Sequence, residues 1–183
     1  MIPPKEKSLI RACLQKDEQA QTELYEKYKG KMFVVCLRYA RNQAEAEDFL
    51  VEGFYKVFKD LHQYNYQSPF IHWMKRVIIN NALMTLRKKQ ILTFPTTELT
   101  ENDWQQAPEI WQQLAAETIL KAIQSLPDGY QTIFNLYAIE GYSHKEIGEK
   151  LGITESTSRS QYTRAKKALQ QLLAPQKLNH YGQ

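Results

Sequence analysis

From Glu155 to Leu169 the chain carries Arg159, Arg164, Lys166 and Lys167 against a single acid, Glu155, with Ser156, Ser160 and Thr163 interleaved. A guanidinium fork can bond a guanine edge at two points, hydroxyls bond bases and phosphates, and ammonium groups neutralise phosphates. The chemistry these residues offer is recognition of a nucleic acid. Helical spacing turns Ser158, Tyr162, Ala165 and Leu169 inward and leaves Ser156, Arg159, Ser160, Thr163, Arg164 and Lys167 pointing elsewhere. In a major groove, Arg159 and Ser160 would meet base edges and Arg164 and Lys167 would lie nearer phosphates. Glu155 suits the helix N-terminus, where the dipole favours an acid. A helical hairpin with a solvated charged face is the plainer alternative, although such a face usually mixes its signs.

The residues before this stretch supply what would hold it. Ser143 followed by Glu146 is a capping box and predicts a helix start. Ile147 and Leu151 lie four apart on its inner face, and Gly152 suits a left-handed stop. Gly152-Ile153-Thr154 then forms a turn, with Thr154 as the cap of the second helix. Gly148 fits a close crossing of two backbones. Glu140 to Leu169 therefore predicts a helix-turn-helix.

The chain has 183 residues, with 24 Lys and Arg and 20 Asp and Glu, a net charge of +4. Residues 1–90 hold 16 basic and 10 acidic side chains, residues 91–113 hold no basic and 4 acidic ones, and residues 114–183 hold 8 and 6. Two basic blocks flank an acidic connector. Cys13 and Cys36 lack metal-ligand spacing and predict reduced core thiols in a cytoplasmic protein. No apolar run is long enough to span a membrane, and Met1-Ile2-Pro3-Pro4 does not resemble a signal peptide. His62, His72, His144 and His180 are scattered, with no metalloprotease, phosphate-loop or nucleophile motif. No enzyme, no cofactor, no metal and no small-molecule substrate are expected, and His144 reads as a surface residue.

Apolar spacing predicts helices through Leu9–Leu14, Leu24–Tyr39 and Leu50–Leu61, the last capped by Asn42 with Glu45. His62 to Ser68 break the pattern. Ser68-Pro69 predicts the next start, with serine as cap and proline at the first helical position, and the helix runs from Phe70 toward Arg87-Lys88-Lys89. Ile91–Phe94 has no second strand to pair with. Beyond Pro95 and Pro108, two more helices are expected: one through Ile119–Leu126, stopped at Pro127-Asp128-Gly129, and one through Ile133–Tyr137, stopped at Glu140-Gly141. The expected fold is all-α: an N-terminal helical domain (1–90), a flexible acidic linker (91–113), a C-terminal helix-turn-helix domain (114–175) and a tail (176–183).

Several segments, in order, resemble the bacterial RNA polymerase sigma factors of the extracytoplasmic-function (ECF) subfamily. Ala46-Glu47-Asp48-Phe49 with Phe54 and Lys56-Val57-Phe58 resembles the family's polymerase-binding helix. Phe70, Trp73, Arg76, Asn80 and Leu86-Arg87 resemble its promoter-melting segment. Ser125-Leu126-Pro127, Glu140-Gly141-Tyr142-Ser143 with Glu146-Ile147, and Leu151-Gly152-Ile153 resemble its C-terminal DNA-binding domain.

That resemblance implies an alternative-sigma initiation factor without catalysis, which binds core RNA polymerase (the β′ coiled coil and the β subunit), recognises −35 and −10 promoter elements and helps to melt the promoter. Asp48 and Glu52 would form the polar part of the polymerase contact; a solvated acidic face is the alternative. Tyr64, Asn65, Tyr66 and Gln67 offer rings and amides to a flipped base, or pack onto the core. Arg76, Asn80 and Arg87 share a face, with Lys88 beside it, and would track the strand backbone. Trp73 reads as core. The family's −35 contacts carry over to Arg159, Ser160 and Arg164, and an anti-sigma protein is a further implied partner. Val51, Met84 and Ser158 depart from the common pattern, where many members have glutamine, an acid and a branched apolar residue; they predict altered polymerase contact, an altered melting helix and looser packing of the recognition helix. A stand-alone helix-turn-helix regulator is the alternative function.

Overall fold

A computed structural model describes residues 3–88 and 116–173, and among these residues the regular structure is helical throughout, with no strand. The chain divides into two units, Met1–Leu92 and Thr93–Gln183. The expected linker, Ile91–Phe94, Lys89, His180 and the 176–183 tail lie outside the described residues.

The N-terminal unit contains α1 (Pro4–Leu14), α2 (Glu18–Leu37), α3 (Gln43–Asp60) and α4 (Phe70–Lys88). Asp17 caps α2 by accepting from the Ala20 amide at 2.8 Å, and Asn42 caps α3 by accepting from the Glu45 amide at 2.9 Å. Each cap satisfies an amide that the first helical turn leaves open. Ala20, Leu24, Tyr28 and Met32 recur every fourth residue along α2 and are buried, so one stripe of that helix faces the core. Opposite it, α3 and α4 make the most extensive packing of the unit. Their approach is close at Gly53, where a Cβ would lie 2.9 Å from Ile78 Cγ1.

The start of α4 differs from expectation. The helix begins at Phe70, and the Pro69 carbonyl accepts from the His72 amide at 2.9 Å. Ser68 is not its cap; the Ser68 carbonyl accepts instead from Tyr64 Oη at 2.6 Å.

The C-terminal unit contains α5 (Ala116–Gln124), α6 (Asp128–Phe134), α7 (His144–Leu151) and α8 (Glu155–Leu173). Ala122, Ile123 and Leu126 pack with Ala165 and Leu169, so α8 crosses the core as well as presenting an outer face. One feature was not legible in the apolar spacing: α6 runs into a π-helical turn over Asn135–Ile139. Leu136 stays buried there while Tyr137 and Ile139 emerge, and Gly141, at φ 78°, ends the segment. The pattern Ile133, Phe134, Leu136, Tyr137 suits an α turn as well as a widened one, so spacing alone could not separate them.

Candidate nucleic-acid and protein interfaces

Local chemistry fixes α7 and α8. Ser143 Oγ accepts from the Glu146 amide at 3.3 Å, and the Glu146 carboxylate accepts from the Ser143 amide at 2.8 Å, completing the expected capping box. The Ser143 hydroxyl, which also donates to Glu146 Oε2 at 2.7 Å, and then the Ser143 amide hold the Glu146 carboxyl below its ordinary range. Gly152 closes α7 in the left-handed conformation at φ 69°, and its amide donates to the Gly148 carbonyl at 2.8 Å. Thr154 Oγ1 accepts from the Thr157 amide at 3.0 Å and caps α8.

At 3.6 residues per turn, Ser156, Arg159, Ser160, Thr163, Arg164 and Lys167 fall within an arc of roughly 140°. The buried residues of α8, Ser158, Gln161, Ala165 and Leu169, lie on the opposite side. Ser156, Arg159 and Lys167 are exposed, and Ser160, Thr163 and Arg164 are half-buried. Arg159 Nε and Nη2 donate to Glu155 Oε1 at 3.2 and 2.5 Å. Such an exposed i,i+4 pair is worth only about 0.3–0.5 kcal/mol, so it orients the guanidinium without withholding it from a stronger partner. Ser160 Oγ donates to the Thr157 carbonyl at 3.0 Å and Thr163 Oγ1 to the Arg159 carbonyl at 3.1 Å. Their protons are thus committed to the helix, and what both offer a ligand is an acceptor oxygen.

In the N-terminal unit, the residues expected to receive a flipped base separate into two groups. Tyr64 is only 5% exposed. Its ring packs on Phe70 at 5.1 Å and on Trp73 at 5.5 Å, and its hydroxyl is taken up by Ser68. Tyr64 is therefore a core anchor of the loop and not an available stacking ring, because a phenol with an internal partner gains more by burial than by exposure. Asn65 and Gln67 are exposed at the tip, where Asn65 Oδ1 accepts from the Gln67 amide at 3.2 Å. Tyr66, half-buried, adopts the left-handed φ of 61°, and Lys7 Nζ from α1 stands 5.5 Å from its ring centroid.

On α4, Arg76, Asn80, Arg87 and Lys88 are exposed. Asn80 lines a groove of about 200 Å³ together with Lys56, Asp60, Gln63, Trp73, Val77, Asn81 and Met84. Trp73 stacks on Phe70 at 5.6 Å yet also forms a wall of this groove, so it is not wholly core. Lys56 and Gln63 were missed in the sequence because they come from α3 and the turn after it, elements that only tertiary packing brings beside α4.

On the outer face of α3, Asp48 and Glu52 alternate with two large apolar residues, Val51 at 64% and Tyr55 at 65% exposure. Glu52 is not simply solvated: its Oε2 accepts from Asn81 Nδ2 at 3.3 Å and Thr85 Oγ1 at 3.2 Å on α4. Val51 and Tyr55 thus form an exposed apolar pair beside the two carboxylates on one face of α3.

Two family models match this chain, sigma-70 region 2 over residues 24–91 and sigma-70 region 4 over residues 116–169. Among its relatives, the ECF sigma factor SigW of Bacillus subtilis is 26% identical, over 91% of this chain and 96% of SigW. The chain belongs to the ECF sigma factors. The sigma-H factor of Pseudomonas aeruginosa is likewise 26% identical, over 93% of this chain and 94% of the relative. In fold, this sigma factor is similar to RpoE of Bartonella quintana, solved in complex with the anti-sigma factor NepR, at a TM-score of 0.52 and 17% identity, covering 83% of this chain and 95% of that one. The face of α8 lies inside the region 4 match, and the α3 face, the loop and α4 lie inside the region 2 match.

The three departures of this sigma factor from the common pattern have distinct structural outcomes. Val51 joins Tyr55 in the exposed apolar pair, and Met84, 51% exposed, borders the groove. Ser158 does not loosen the recognition helix. It is fully buried, and its Oγ shares a 2.9 Å hydrogen bond with His144 Nδ1. The expectation that His144 is a surface residue is thereby corrected: it is 7% exposed, its ring lies flat on Tyr137 at 4.1 Å and meets Tyr162 at 5.7 Å. Position inside a capping box suggested the surface, but the turn after α6 covers it.

Among the described residues of this sigma factor, no group of three His, Cys, Asp or Glu side chains could hold a metal ion, and no helix is long and apolar enough to cross a membrane. Cys13 and Cys36 are free and buried, and burial pushes their thiols up to about 11 and about 12. Both stay protonated at neutral pH and are poor nucleophiles.

Proposed function

We propose that the two units of this alternative-sigma transcription initiation factor divide promoter recognition between them. The C-terminal unit reads the −35 element through α8, with Arg159 at base edges, Ser160 accepting from a base or its neighbour, and Ser156, Thr163, Arg164 and Lys167 along the backbone. The N-terminal unit (1–90) docks on core RNA polymerase, on the β′ coiled coil, through Asp48, Val51, Glu52 and Tyr55. It holds the opened −10 strand between the loop tip at Asn65, Tyr66 and Gln67 and the exposed residues Arg76, Asn80, Arg87 and Lys88. The groove beside Trp73 and Asn80 has the polar rim and aromatic wall that an unstacked base requires.

The observation that carries this reading is the coexistence of a one-sided DNA face on α8 with the exposed acid and apolar face of α3. A stand-alone regulator needs only the first. Residues 91–113 are then the acidic tether between the two contacts, and the cytoplasm, where core polymerase acts, is the place of work. An anti-sigma protein, the class of partner with which the Bartonella factor was solved, is the proposed antagonist. The chain itself has no catalytic part in the reaction.

Run-off transcription of fragmented bacterial DNA with purified core polymerase, with and without the protein, tests the reading. New starts sharing a two-part upstream motif are expected. Duplex binding by the protein alone, without new starts, would favour the regulator instead. Within that assay, Asp48→Ala combined with Tyr55→Ala is expected to weaken core polymerase binding at least tenfold, about 1.4 kcal/mol, with helical content unchanged. Fluorescence anisotropy of labelled protein against core polymerase measures it, and unaltered affinity would return this face to solvent.

A further inference from the structure

A helix-turn-helix has to fix the angle between its two helices, and here two contacts do so. The first is at the vertex, where Gly148 lies so close to the turn that a Cβ would stand 2.7 Å from the Ile153 carbonyl oxygen. The second is the buried bond between His144 and Ser158. His144 is four residues before Gly148 on α7, and Ser158 is four residues after Thr154 on α8, so the second contact sits about one helical turn, roughly 6 Å, from the vertex along each helix. Two separated contacts define an angle where one alone leaves a hinge. Ser158 also immediately precedes Arg159, the proposed base reader.

We propose that His144 is a positioning residue for promoter reading: by bonding Ser158 while clamped on Tyr137, it sets the pose of α8 and with it the aim of Arg159. The proposal rests on α8 being the −35 reader. The π-helical turn belongs to the same device, since it delivers Tyr137 to one face of the imidazole. His144 touches no DNA in this arrangement and acts through Ser158.

The ring's surroundings make the neutral imidazole the working form. Tyr137 from the π turn stacks on one face of the ring, Tyr162 from α8 lies tilted beside both, and Glu155 and Arg159 of α8 are the charged groups beside it. Burial, then the Arg159 cation, hold its pKa below the ordinary 6.5, against the pull of Glu155. A histidine depressed in this way contributes its stabilisation in full above 6.5 and loses it as pH falls toward the folded value.

The test uses the full chain bound to core polymerase and two probes: the promoter fragment recovered by run-off mapping, and the same fragment with its −35 hexamer scrambled. The quantity read is the affinity ratio between them. His144→Phe, which keeps the ring but not the bond, and Ser158→Ala are each expected to lower that ratio fivefold or more. The double variant should be no worse than either single one, and His144→Asn, whose amide can still reach Ser158, should retain it. Full discrimination in folded His144→Phe and Ser158→Ala, or losses that add in the double variant, would overturn the proposal. If those variants do not fold, Tyr137→Leu, which keeps both partners of the bond and removes the clamp, decides it: its ratio must fall, and an unchanged ratio would overturn the proposal. Failure of the underlying reading looks different, because then Arg159→Ala also leaves the ratio of the parent chain unchanged.

Discussion

Gly148→Ala is expected to lower the melting temperature of the C-terminal unit by about 10 °C, the equivalent of about 1–3 kcal/mol of overpacking in so small a unit. The added methyl would meet a backbone oxygen, the Ile153 carbonyl at 2.7 Å, with Thr154 and Glu155 backbone atoms close behind. A side chain in that position can change rotamer, but a carbonyl in a tight turn cannot move without opening the turn. That turn is already committed, since the Gly148 carbonyl accepts from both the Gly152 and Ile153 amides. Relief must therefore come from separating α7 and α8, which uncovers Ile147 and Leu151. Gly30→Ala is the internal control. It makes the same chemical change on α2 with nothing within 4 Å of the new methyl, and it should raise stability by about 0.5–1 kcal/mol through the loss of unfolded-state freedom. Differential scanning calorimetry of the full chain follows both units at once. A Gly148→Ala transition that coincides with the parent's would show that the turn yields without cost.

The opposite signs expected for two identical substitutions show which features were legible in the chain. Gly148 was readable as a crossing because it stands among strong local signals: a capping box before it, a left-handed glycine after it and a threonine cap beyond. Local signals of that kind encode their own structure, since each satisfies backbone groups within a few residues of itself. In the N-terminal unit α3 was legible for the same reason, through its Asn42 cap, whereas α1, α2 and α4 were legible from apolar spacing and not from their caps. What could not be read was the environment that one element imposes on another. His144 has an unremarkable place in its own helix, and only the π turn of a different segment buries it. Tyr64 has the composition of a stacking platform, but Phe70 and Trp73, on the helix that follows, turn it inward. Ser158 departed from the common apolar residue, and nothing nearby in the chain showed that a histidine fourteen residues earlier would supply its partner. Nothing near Glu52 in the chain likewise showed that α4 would bring Asn81 and Thr85 to its carboxylate.

Replacement of Arg159 tests whether α8 reads bases or merely adheres to phosphate. Arg159→Ala is expected to cost about 1–3 kcal/mol in discrimination between the promoter and a scrambled −35 variant, the value of a bidentate contact with a guanine. Lys167→Ala, on the same face but beyond the first turns of the helix, should weaken both fragments alike and shallow the salt dependence by about one counterion. The Glu155 pair separates these effects further. Since Glu155 holds Arg159 through Nε and Nη2, Glu155→Ala frees the guanidinium and removes an acid from the DNA face. If Arg159 acted as a diffuse positive charge, that change would raise affinity for every sequence and leave the ratio alone. As a directed reader, Arg159 depends on its orientation, so the same change should raise overall affinity while lowering discrimination. Arg159→Lys keeps the charge without the planar fork and should behave like the alanine variant in discrimination, though not in affinity. Filter binding of the polymerase complex to both fragments at two salt concentrations gives all four results, and a lysine variant with full discrimination would assign base reading to a different residue of α8.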